Sequence, residues 1–211
     1  MLITICRLYD SYSDANRVVL VLEAAGLPAS QTSVISNNSD AWYSAPKNAG
    51  VVSVRKDGTR SEADSKAEGR GEGAIIGAAI GATAATAASL ITMLAIPGVG
   101  AVVGAGWLAA LLGSMAIGGV AGGLLGALTN AGISEEDAQV FVEGVRRGGT
   151  LVAARVPQAE APRIQTMMNQ SAVNLGERRE LYRKSGWQCF DPNAGPYTAD
   201  QVRSERALHA H

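Results

Sequence analysis

Between Glu72 and Glu135 the chain carries no Asp, Glu, Lys, Arg or His. About half of that block is Gly plus Ala. A surface helix or a half-exposed strand keeps one polar side, so a run this long without a charge must be buried. Three readings follow: a membrane-embedded module, a soluble assembly with Gly/Ala helices buried between subunits, and an irregular glycine-rich structure. The first fits the lengths best. Residues 74–96 and 107–128 each reach about 33–35 Å as helices, enough for a hydrocarbon core of about 30 Å. Pro97 and Gly98 lie between them, and Pro with Gly ends a helix. The expectation is a transmembrane helical hairpin over residues 73–133 with its turn at Pro97 and Gly98.

The glycine spacing supports close helix packing. Gly73, Gly77 and Gly81 are spaced by four, as are Gly118, Gly122 and Gly126, and Gly100 with Gly104 adds a pair. Four-residue spacing places small residues on one helix face, where two backbones approach closely. Thr83, Thr86, Ser89 and Thr92 would add bonds between helices. Arg55, Lys56, Arg60, Lys66 and Arg70 precede the block and Arg146, Arg147 and Arg155 follow it, while the turn has no cation. That asymmetry places both termini on the cytoplasmic side of a bacterial inner membrane, with a soluble cytoplasmic assembly as the alternative. The opening MLITICRLYDSYSD lacks the basic start, apolar core and cleavage site of a signal peptide.

The flanks read as a small α/β domain in two halves. LITICRLY is a buried strand, SDANRVVLVLEAAGLP a helix stopped by Gly26 and Pro28, and QTSVIS a second strand. These make residues 1–36 the first half, and 37–72 a polar linker with a short hairpin at Asp57-Gly58. Residues 134–176 form the second half. Ser134 with Asp137 makes a capping box, Glu135 and Glu136 suit the helix start, and Gly148-Gly149 ends it. A strand over 150–156, a helix with Pro162 in its first turn and a last strand over 172–175 follow. The order predicts an α+β fold, an antiparallel ferredoxin-like sheet covered by helices and interrupted by the block.

These residues resemble a known family. The stretch AIPGVGAVVGAGWLAALLG, the later GGVAGGLLGALTNAGISEEDAQVFVEGVRRGGTLVAARV and AVNLGERRELYRKSGW are similar to the bacterial general stress protein-like (heat-induced stress protein) family with a glycine-zipper hairpin. Ala101 and Trp107 stand where that family tends to have proline. The resemblance implies stress-associated expression and membrane association. It implies no catalytic residues.

No catalytic, cofactor-binding or metal site is expected. His209 and His211 sit in the last three residues. Cys6 and Cys189 have no C-x-x-C partner and read as reduced thiols. GVGAVVGAG mimics a dinucleotide loop but has Val103 where a glycine is needed. The formal net charge of −1 gives no field for nucleic acid. Residues 177–211 read as a charged helix with Arg178, Arg179, Arg183 and Lys184, then a tail whose Trp187, Phe190 and Tyr197 need somewhere to dock, on the chain's own domain or on a neighbouring subunit. The expectation is a non-enzymatic membrane protein that assembles with itself and meets lipid. A pore-forming or membrane-remodelling oligomer and a small-ligand-sensing module are the alternatives.

Overall fold

The strand Leu2–Tyr9 (β1) is buried on both sides toward its carboxyl end and turns successive side chains to opposite faces. Ile3, Ile5 and Tyr9 face one helix layer, and Cys6 and Leu8 face another. A computed structural model describes residues 1–43, 51–53, 92–96, 98–115 and 123–209. After β1 come Tyr12–Ala24 (α1), Thr32–Asn37 (β2), Val51–Ser53 (β3), Thr92–Ile96 (β4), Gly100–Gly106 (β5), Trp107–Met115 (α2), Gly123–Asn130 (α3) and Glu135–Arg146 (α4). Thr150–Pro157 (β6), Ala161–Met168 (α5), Leu175–Lys184 (α6) and Ala199–His209 (α7) complete the described chain. The fold is α+β. The sheet order is β1-β6-β2-β5-β4-β3, antiparallel across the first five strands and parallel between β4 and β3.

Two β-α-β units interleave in this sheet. β6 lies between β1 and β2, and β2 lies between β5 and β6. Both units are therefore split, with the second strand of each on the inside. Ala15, Val18 and Leu22 of α1, with Ile164 and Met168 of α5, cover one face. Leu108, Leu112, Leu124, Leu128, Phe141 and Val145, from α2, α3 and α4, cover the other.

Local signals place several of these helices. Ser11 Oγ accepts from Asp14 N at 3.1 Å and caps α1. Ser134 Oγ does the same for Asp137 N at 3.2 Å on α4. Asn174 Oδ1 accepts from the backbone N–H groups of Gly176 and Glu177, which starts α6. That cap corrects the last expected strand, because 172–174 is a loop and Leu175 opens a helix. The loop donates Val173 N to Leu8 O at 2.8 Å and so covers part of the β1 edge.

The uncharged block departs most from expectation. Residues 92–96 and 100–106 are strands, paired from Thr92↔Gly104 to Ile96↔Gly100. Gly98 sits in the tight turn between them, with Val99 N bonded to Ile96 O at 3.1 Å, and Pro97 lies outside the described residues. The turn is that of a β-hairpin. Gly100 and Gly104, expected on a helix face, lie on β5. A Cβ at Gly104 would stand 2.8 Å from Ile35 Cδ1 and 2.9 Å from Ala109 Cβ, so the small residue serves packing between the sheet and α2. The span 107–128 contains two helices, α2 and α3, both laid on the sheet. Gly126 is on α3 and half-buried. Gly73, Gly77, Gly81, Gly118 and Gly122 lie outside the described residues. No helix among the described residues is long and apolar enough to cross a membrane.

Candidate functional site

The carboxyl ends of β1, β2 and β4 lie at the same end of the sheet as the starts of β5 and β6. The C-terminal residues from α6 onward return to this end and close it. Their anchor is α4, whose last turn carries a buried carboxylate. The Glu143 side chain is 1% exposed and bonds Arg147 Nε at 2.7 Å and Arg146 Nη1 at 3.3 Å. The Glu143–Arg147 spacing of four is the helical pairing that brings such groups together. Arg147 Nη1 also reaches Glu205 at 3.1 Å. Its guanidinium lies 4.3 Å from the Tyr182 ring centroid and 5.6 Å from that of Tyr197. Burial alone would lower the Arg147 pKa, but the bond and charge of Glu143, with the charges of Tyr197 and Glu205, hold it above its ordinary value. Arg147 is a fixed cation at every accessible pH.

Two further arginines tie the C-terminal residues to the strand ends. Arg178 Nη2 is 2.8 Å from Asp10 just after β1. Arg206 Nε donates to Gly148 O at 2.8 Å, Nη2 donates to Asn37 O at 3.2 Å, and Nη1 pairs with Asp40. Asn37 O also accepts from Trp42 Nε1 at 2.7 Å. Asp10, Arg147, Arg178, Tyr182, Glu205 and Arg206 line a cavity of about 10 Å³, room for about one water molecule. Burial pushes the Tyr182 phenol up to about 12, against the opposing pull of Arg178 and Arg147.

The tail aromatics are distributed along this closure. Phe190 is 7% exposed and belongs to the core layer under α2–α4. Trp187 is half-buried and meets the Tyr182 ring edge-on at 5.8 Å. Tyr197 lies 5.0 Å from the Arg146 guanidinium, and Arg146 Nη2 donates to Gly195 O at 2.8 Å. Backbone glycines form the seats. A Cβ at Gly98 would stand 2.9 Å from Phe190 Cζ and from Pro192 Cα, and one at Gly148 would stand 2.8 Å from Val202 Cγ1. At Gly100 the near neighbour is Pro196 Cβ, at 2.8 Å.

Neither family models, curated proteins nor solved structures match the chain.

Cys6 is buried, and burial pushes its thiol up to about 12, while Cys189 is exposed. Among the described residues no group of three His, Cys, Asp or Glu could hold a metal ion. His209 ends α7 and His211 lies outside the described residues. Glu136 and Asp137 face Arg179 of α6 at 2.9 Å and 2.7 Å, so the acidic start of α4 also docks a neighbouring helix. Sequence reasoning missed Asp40, Glu143 and Arg206. The Glu143–Arg147 spacing was a readable signal for one of them. Nothing local marks Asp40 and Arg206 as partners across the whole chain.

Proposed function

We propose that the chain is a non-enzymatic assembly protein whose α+β domain carries the Gly/Ala-rich residues 73–91 as a self-association element at a membrane surface. One observation carries this reading: β3 and β4 are neighbours in one sheet. Residues 54–91 therefore leave and rejoin the same body. A single membrane crossing would put β3 and β4 on opposite sides of the bilayer. Two crossings need about 40 apolar residues, more than the uncharged stretch 73–91 holds. In this reading the segment packs Gly73, Gly77 and Gly81 against another copy or against lipid without spanning.

The sheet offers a matching surface. Ala95 and its cross-strand partner Ala101 are exposed at the far end from α1. A Gly/Ala helix approaches such a small-residue surface closely. The inner-membrane location and the stress-associated role implied by the family resemblance belong to this proposal, as does the reading of the split units as a variant of the ferredoxin-like plan. A soluble assembly is the second reading, favoured because α2 and α3 spend their apolar faces on the chain's own core.

Particle mass with and without detergent tests the proposal. Gly77→Leu and Gly81→Leu insert branched side chains where backbones meet, at a cost of about 1–3 kcal/mol each. The expected result is a smaller particle from a folded chain. An unchanged particle would refute the assembly role of 73–91. Flotation with vesicles separates the membrane reading from the soluble one, and vesicle leakage would indicate a pore.

A further inference from the structure

Residues 190–209 behave as a ligand bound to the rest of the chain. Their local shape is set by bonds among themselves: Asp191 with Asn193 and Ala194, Thr198 with Gln201, and Arg203 with Asp200. Their anchors are on the body. Phe190 sits at Gly98, Pro196 at Gly100 and Val202 at Gly148, while Arg206 holds Asp40 and two carbonyls. Trp187 still belongs to the body, because its backbone N–H donates to Tyr182 O at 3.0 Å and its ring meets that of Tyr182. Only the exposed Gln188 and Cys189 join the two parts. This short link sets a covalent tether between a self-contained strap and a complementary seat.

We propose that the strap 190–209 exchanges between two copies of the chain, each strap closing the other's seat. An open chain leaves Phe190 and Val202, 7% and 0% exposed when closed, facing water together with an empty glycine-floored seat. A second copy supplies both missing halves with every contact already described, so exchange creates no new chemistry at the seat. A short hinge invites exchange between copies where closure within one chain strains it.

The Asp40–Arg206 pair provides the test. Asp40→Arg places two cations at the seat, and Arg206→Glu places two anions there. Each variant is mismatched both within one chain and between identical copies. Only an exchanged pair made of one chain of each kind joins opposite charges in both seats. Protease cleavage within 188–209, read by mass spectrometry, is expected to be faster than in the parent chain for each variant alone. On mixing equal amounts it is expected to fall about tenfold, following the open population. Cleavage that does not fall on mixing overturns the exchange. If either variant fails to fold, deletion of Gln188 and Cys189 decides the matter. Exchange predicts strap protection that is lost on dilution, and concentration-independent protection overturns it. The readout is strap cleavage, so it stands apart from particle mass and from the outcome at Gly77 and Gly81.

Discussion

Phe190→Ala measures how firmly the strap is held. The ring is 7% exposed, lies in the core layer with Val99, and presses on the Gly98 backbone. Phe→Ala inside a core costs about 3–5 kcal/mol. Phe190 enters from the end of the sheet on an extended segment, where solvent can refill part of the space, so the loss is nearer the transfer value, about 2–3 kcal/mol. The strap's other anchors remain, so the body stays folded and the loss falls on the closed state of the strap. With about 1.4 kcal/mol per tenfold change, the open population rises about 30- to 140-fold. Cleavage between Gln188 and Leu208 tracks that population when opening is fast relative to cutting. A time course under native conditions reads it directly. Leu181, 48% exposed on α6, is the control, since a surface change there costs within about 0.5 kcal/mol. A rise of less than about threefold in Phe190→Ala, with the body intact, would refute the claim that this ring holds the strap.

Two further outcomes are expected. Burial raises Cys6 from 9.0 to about 12 and Tyr182 from 10.0 to about 12, and raises Tyr9 as well. Folded values above unfolded ones mean stability is full below about pH 9 and falls as the unfolded chain ionises first. Urea midpoints should therefore drop from pH 9 toward 12 with a slope of up to about 1.4 kcal/mol per pH unit per group; a flat profile would contradict the burial of these groups. Gly148 and Gly132 share a positive φ, +111° and +92°, but a Cβ meets Val202 at 2.8 Å in the first and nothing within 4 Å in the second. Gly148→Ala should cost about 1–3 kcal/mol more than Gly132→Ala through overpacking, and equal midpoints would show that the seat is not tight.

The elements with strong local signals were legible before the structure. A run of apolar and β-branched residues marked β1, and Ser134 with the run of acids marked α4. The uncharged block was not, and the reason is physical. A strand in the middle of a sheet with most of its residues at least half-buried shows no alternation, so GAVVGAG gives the same apolar run as a buried helix. Its glycines gave four-residue spacing by coincidence with a strand that must admit Ile35 and Ala109. The helix α7 was hidden in a polar tail, because its packing rests on Val202 and Arg206 meeting Gly148 more than fifty residues away. The candidate site was half legible: the aromatics were visible, but their seats are backbone glycines with other apparent roles.

The interleaving of the two split units also sets an order of events during synthesis. β6, at residues 150–157, pairs with β1 on one side and β2 on the other. Until it has left the ribosome, β1 and β2 have no shared partner, and the place between them is one strand wide, about 10 Å from neighbour to neighbour. β1 therefore stays unpaired for the whole time that the block 73–134 is being made, while β2 finds its first partner, β5, only when residues 100–106 have emerged. Closure of the sheet waits for a long-range contact and is slow for that reason. A nascent chain of this design depends on whatever shields strand edges at the ribosome exit, and on the charges of residues 54–72, the last ones made before the uncharged stretch begins.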